Sequence, residues 1–173
     1  MKEKISSNGW LLIDKPEGIE SFGVIRKLKF RYSFHKIGFA GTLDPLASGL
    51  LLIGINRATK KIPNVHNEKK SYIVEIRFGA ATNTLDSEGR FSKMKTVSHS
   101  INDRTHYLKN FIGPYQQKSP KSTAHKSKGK SFYELARRNE IIEERYKEVS
   151  VSSLKILYSN NTHMGVELNC QTG

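Results

Sequence analysis

The stretch Gly38–Gly54, GFAGTLDPLASGLLLIG, decides how this chain is read. Its first half is crowded with turn formers, Gly41 and Pro45 among them, too many for a regular element. Its second half, LLLIGI, is apolar enough to predict a strand buried on both faces. One carboxylate, Asp44, stands at the join. The pattern therefore places Asp44 in a loop that leads directly into the core. A turn aspartate capping local amides ahead of Pro45 is the structural reading of that position, and a carboxylate held ready for chemistry is the functional one.

Upstream, GWLLID (Gly9–Asp14) is a short apolar run closed by Lys15, Pro16 and Gly18, which predicts a buried strand and a turn that carries a lysine. From Ser21, read as an N-cap, SFGVIRKLKF sets Phe22, Ile25 and Leu28 at helical spacing with basic residues opposite. Downstream, KSYIVEIRFGAA alternates, with Tyr72, Val74, Ile76 and Phe78 on a face expected to be buried and Ile73, Glu75 and Arg77 on the other. A polar turn, TNTLDSEG, follows. Residues 102–112 then predict a helix closed by Gly113. Between Gln116 and Lys130 there is almost no apolar residue, and composition alone reads that segment as a flexible loop. SFYELARRN predicts another helix, and EVSVSSLKILY and MGVELNC two strands, the last of them leaving an open apolar edge.

The 173 residues suit one ordinary domain, and 36% hydrophobic residues argue for a packed core rather than disorder. Lys and Arg number 29 against 16 acidic residues, a formal charge of +13. A domain so charged repels itself unless a polyanion is near, so nucleic acid is the first candidate partner, RNA and DNA being equivalent on charge alone. A lysine-rich surface with no partner is the alternative. Cys170 is the single cysteine, which excludes an internal disulfide and fits a reducing compartment. The opening apolar run is too short for a secretion signal and is broken by Asp14 and Lys15, so a cytoplasmic protein away from membranes is expected.

Four ordered blocks carry a resemblance. GTLDPLASGLL is similar to the sequence around the catalytic aspartate of the bacterial tRNA pseudouridine synthases of the TruB family. GWLLIDKPEGIES resembles that family's opening strand and Lys-Pro-x-Gly turn through Lys15, Pro16, Gly18 and Ser21. KKSYIVEIRFGAATNTLDSEG matches a third block through Lys70, Tyr72, Gly79, Thr82, Thr84, Asp86 and Gly89. FIGPYQQKSPKSTAHKSKGKSFYELAR is similar to a fourth, through Gly113, Gln117, Pro120, Lys126, Tyr133 and Arg137 among others.

The resemblance implies an α+β pseudouridine synthase catalytic domain, a mixed and largely antiparallel sheet flanked by helices, over residues 1–173. It implies isomerisation of uridine 55 in the tRNA T-loop by a monomer, with no metal, redox step or small-molecule cofactor. Asp44 takes the catalytic role, as a nucleophile at sugar or base or as a base at the 2′ position, and the residues leave that choice open. A base inside a folded loop must be everted to be reached. Tyr72 matches the family aromatic that packs on the flipped uracil. Lys15 matches a residue beside the site that steadies the loop or the RNA backbone, and Thr82 and Asp86 are expected to fix a turn through backbone bonds. The Gln116–Lys130 segment becomes a substrate loop, with Lys126 and Arg137 as phosphate contacts.

Three departures accompany the match. Phe39 stands where many members carry a histidine that helps fill the gap left by the flipped base; it can stack but not hydrogen-bond. The loop before Lys126 reads SPKSTA, with serines where the family has a proline and an aromatic. The family's Thr-Tyr-x-Arg segment, whose arginine pairs with the catalytic aspartate, and the small RNA-binding domain that often follows are not within the 173 residues. A catalytic domain shortened at its C-terminus is thus expected, with an RNA-binding remnant of such an enzyme as the alternative function; Arg57 or Arg77 could in principle replace the missing arginine, and nothing in the sequence places either near Asp44.

Overall fold

The computed structural model describes residues 2–66, 69–118, 126–127, 130–131 and 146–171. The chain divides into two compact units, residues 1–68 and 69–173. Both are built on antiparallel sheet with few helices, and the fold is α+β.

The first unit runs β1 (Glu3–Ile5), β2 (Gly9–Lys15), α1 (Ser21–Arg31), β3 (Tyr32–Phe34), β4 (Ile37–Ala40) and β5 (Gly49–Ile55), then a 3-10 turn (Asn56–Lys61) and the short α2 (Ile62–His66). Strands β2, β5 and β4 form an antiparallel sheet in that order, while β1 and β3 pair in parallel. The register sets Leu11 opposite Ile53 and Ile13 opposite Leu51, and these apolar pairs meet Val24 and Ile25 of α1 in the core. Each such fully buried Leu or Ile contributes roughly 1.5–3 kcal/mol.

The other face of this sheet differs from the expectation of strands buried on both sides. Leu12 is 70% and Leu50 68% exposed, because α1 covers the opposite face and period-2 alternation turns these two away from it. Helix α1 also corrects its predicted stripe. Ser21, Val24 and Ile25 are the buried residues, whereas Phe22 lies exposed with Arg26 5.8 Å over its ring. Position 22 is a quarter-turn off the 21, 24/25, 28 stripe. Ser21 is the first helical residue rather than the cap, which is Glu20 and makes no side-chain cap bond.

Asn56 closes the unit. Its φ of 52° suits an asparagine, and its amide donates to Ile5 O (3.1 Å) and Ser7 O (2.7 Å) while accepting from Lys36 N (3.1 Å).

In the second unit, β6 (Lys70–Arg77) is followed by the hairpin β7 (Ala80–Thr82) and β8 (Phe91–Met94), then α3 (Ile101–Lys109) and β9 (Gly113–Lys118). The two-residue strands β10 (Lys126–Ser127) and β11 (Lys130–Ser131) pair with each other. The long β12 (Tyr146–Ser159) and β13 (His163–Cys170) complete an antiparallel sheet of order β6-β13-β12-β9. Val149, Val151, Met164 and Val166 are its buried apolar residues.

This order corrects two expectations. The last strand, β13, is interior, flanked by β6 and β12, so it leaves no open edge. Strand β6 is an edge of the sheet, and its face expected to be buried is only partly covered: Tyr72 is 39% and Val74 38% exposed, against 78% for Ile73 on the opposite face. Cover for a strand's side chains comes from elements packed on the sheet face, which period-2 alternation alone does not reveal. Helix α3 starts at a Ser100 capping box and ends at Asn110, and Gly113 begins β9 instead of capping the helix. Of the helix predicted over SFYELARRN, all but Ser131, which belongs to β11, lies outside the described residues.

Candidate functional site

Asp44 lies on the loop between β4 and β5, exposed to solvent. What holds that loop is not the aspartate but its neighbours. On one side, the Ser21 hydroxyl donates to Leu43 O (3.0 Å) and accepts from Leu43 N (2.9 Å), a reciprocal clasp from the first turn of α1. On the other, Gly18 N donates to Pro45 O at 2.8 Å, which the glycine reaches with a left-handed φ of 85°.

Lys15 completes the fastening. It is fully buried, and its Nζ donates to Ile19 O (2.8 Å), Pro16 O (3.0 Å) and Pro45 O (3.4 Å). A buried ammonium is expensive unless its three hydrogens are met, and three carbonyls meet them here. The side chain thereby ties the Lys-Pro-x-Gly turn to the residue after Asp44, and it presents no surface to an RNA phosphate. Ala47 N donates to Asp44 O (3.1 Å) and closes the turn. Among the described residues no hydrogen bond or ion pair engages the Asp44 carboxylate, so the capping role open to an Asp-Pro turn is not filled. The result is a rigid loop with a free, solvent-facing carboxylate.

Phe39, on β4 opposite Ile53, is half-buried and packs against the core of the same unit. Lys15, Phe39 and Asp44 thus all belong to the first unit, and Tyr72 to the second, on β6 opposite Leu168. Lys126 pairs through its backbone with Ser131, and its side chain lies outside the described set, as does the whole of Arg137. Among the described residues of the first unit, Arg57 forms no ion pair with Asp44: it sits on the 3-10 turn, its amide on Asn8 Oδ1 (3.0 Å), while Arg77, in the second unit, lies 5.3 Å over the Phe91 ring.

The turn after β7 behaves as its residue types require. Thr82 Oγ1 donates to Asp86 O (2.7 Å), while Asp86 Oδ1 accepts from Thr84 Oγ1 (2.6 Å) and Glu88 N (3.0 Å). The role of Ser21 is what sequence reasoning missed. The residue was visible as part of a block, but a serine ahead of a helix reads locally as a cap.

Residues 27–173 match the family model described as TruB family pseudouridylate synthase, N-terminal domain. The chain belongs to this family. It is 36% identical to tRNA pseudouridine synthase B of Ruegeria sp. (strain TM1040), over 96% of this chain and 55% of that protein. The same identity holds against tRNA pseudouridine synthase B of Clostridium kluyveri, over 96% of this chain and 57% of the relative. The chain therefore spans about half the length of the curated TruB-family relatives it matches. Among solved structures, the fold is similar to a chain in a Cbf5-Nop10-Gar1 complex, at 19% identity with a TM-score of 0.68, covering 95% of this chain and 40% of that one. A chain in an H/ACA RNP bound to a substrate RNA containing 2′-deoxyuridine matches with a TM-score of 0.66 at 18% identity, over 95% of this chain and 38% of the other. These likenesses extend the same fold to both units. No helix among the described residues is long and apolar enough to cross a membrane.

Proposed function

We propose that the chain isomerises uridine 55 of the tRNA T-loop to pseudouridine, with Asp44 as the catalytic carboxylate. The observation that carries this reading is the Asp44 loop, clasped on both sides by Ser21, Gly18 and Lys15 while the carboxylate itself remains unengaged. A reactive group needs that combination of fixed position and free lone pairs.

In the reaction the N1–C1′ bond breaks, the uracil turns, and C5 bonds to C1′. The proton on C5 is released and N1 gains one, so the product has the composition of the substrate. Asp44 serves either by attack at the nucleoside or by taking the 2′ proton. Tyr72, exposed on β6, supplies a ring on which the everted base can stack. Phe39 wedges or stacks in the gap that the flipped base leaves, and Lys126 and Arg137 contact phosphate. The chain works as a monomer in the cytoplasm without cofactor or metal, as one catalytic domain.

Pseudouridine formation on a tRNA T-arm stem-loop by the purified chain tests the reading. Product is expected from the wild-type chain, and Asp44→Ala should lower its formation by at least about 10³-fold while binding of the stem-loop is retained. Product that persists in Asp44→Ala removes the aspartate from the chemistry. A folded chain that binds the stem-loop and yields no product would instead be the RNA-binding remnant.

A further inference from the structure

Away from the Asp44 loop, the second unit holds a groove of about 1070 Å³ between the β6–β8 segment and α3. Its walls are apolar and aromatic, with Phe78 and Val97 on one side and Tyr107, Leu108 and Phe111 on the other. Tyr107 and Phe111 meet edge to face with ring centroids 5.7 Å apart. Gly79 allows the groove to exist in this shape. It is left-handed (φ 78°), Lys95 N donates to its carbonyl at 2.8 Å, and a Cβ there would lie 2.6 Å from Lys95 O. The segment from Lys95 to Val97 can therefore run directly alongside it as a wall.

The charges of the groove are one-sided. Lys93 and Lys95 are exposed on it, His99 and His106 line it, and Arg104 forms part of its base. Its carboxylate is Asp103, which is occupied: it accepts from Ser100 N (3.1 Å) and Ser100 Oγ (2.7 Å) in the α3 capping box. Arg104 is only 7% exposed, with its guanidinium 4.5 Å over the Phe78 ring. Two carbonyls take its hydrogens, Ser100 O from Nε and Asn161 O from Nη1, each at 3.2 Å. Further N–H donors are left over, and no carboxylate among the described residues pairs with it. A buried cation with spare donors over the Phe78 ring, in a groove that also carries two exposed lysines, is complementary to an anion that carries flat apolar faces.

We infer that this groove binds single-stranded RNA, bases lying against Tyr107, Phe111 and the Phe78 side while phosphates meet Lys93, Lys95 and Arg104. Stacking platforms joined to a cationic track are how strands are held without sequence readout. An acidic protein segment would use the lysines but gain little from the rings. The inference uses neither Asp44 nor the isomerisation, so each can fail without the other.

The test uses the full 173-residue chain and a fluorescent oligouridylate of about ten nucleotides, followed by anisotropy across salt concentration. Lys93→Glu/Lys95→Glu changes exposed side chains only, and thermal unfolding verifies its fold. Its affinity should fall about tenfold or more, and its salt slope should shrink by about 1.4, two single-strand phosphate contacts. Tyr107→Ala, at a ring 64% exposed, should weaken binding about fivefold or more. Oligomers carrying 4-thiouridine should cross-link to wild-type protein within residues 104–111. Asp44→Ala should bind as wild type does. Unchanged affinity in the lysine variant overturns the inference, as do cross-links confined to other segments or a polyglutamate peptide that binds as tightly as the RNA.

Discussion

Leu85 takes the left-handed backbone, φ 67°, at the tip of the turn after β7, and its side chain is 77% exposed. The strain there is not offset by packing, whereas Asn56, at a φ of 52°, is a residue type suited to that conformation and has three side-chain bonds to hold it. Leu85→Gly should therefore raise stability by ~0.5–1 kcal/mol, the relief of the left-handed penalty less the entropy that glycine adds. A urea midpoint that moves up at unchanged slope would bear this out, and one that moves down would sink it. Single residues were unevenly legible in the sequence. Asp44 was marked by its turn-rich surroundings. Lys15 was one of 29 basic residues, yet strand parity alone puts it on the face of Leu11 and Ile13, which is where its buried ammonium lies. What parity could not give was the three carbonyls waiting for it, because they come from segments up to 30 positions away.

Helix α3 illustrates what an element reveals and what it conceals. Ser100 followed three residues later by Asp103 is a start signal of the capping-box kind, and both halves of the box form. The hydroxyl and amide of Ser100 hold the Asp103 carboxyl below its ordinary value. A group whose folded pKa is depressed stabilises fully above the unfolded value, near 3.8, and loses that contribution as pH falls through the folded one. Asp103→Asn should thus be less stable than wild type at neutral pH, with the gap closing below about pH 4 as the carboxyl protonates. Unfolding titrations of the two proteins across that range give the answer, and a gap constant with pH would refute the linkage. For strands, a continuous apolar run identified β5 and alternation identified β6, but neither gave their cover. LLLIGI has the composition of a doubly buried strand and leaves Leu50 exposed, and β6 is an edge with Tyr72 open, since whether a face is covered depends on partners that no local pattern encodes.

For the molecule as a whole, charge outweighs any single pair. If all 16 acidic groups were matched, 29 − 16 = 13 cations would still lack a counter-charge. The ion pair Arg26–Glu20, at 3.8 Å and exposed at both ends, is of the kind that contributes little. Screening should relieve the excess. Raising sodium chloride from about 20 to about 300 mM shortens the Debye length several-fold and should raise the melting temperature, while the proposed RNA binding should weaken over the same range. A melting temperature that falls with salt would show that attractive pairs dominate instead. The four motif blocks made the family legible at this scale, because turns, glycines and an aspartate recur in order across the whole chain, while the two-unit division and the β6–β8 groove needed coordinates. The way the Asp44 loop is fastened has a practical side. Because Ser21, Gly18 and Lys15 hold the backbone and, among the described residues, the Asp44 side chain holds nothing, the aspartate can be exchanged without disturbing the surface around it. On the proposed reading, the Asp44→Ala chain is then an affinity reagent: immobilised, it would capture from a cell extract the RNAs on which the proposed isomerisation acts and hold them unconverted.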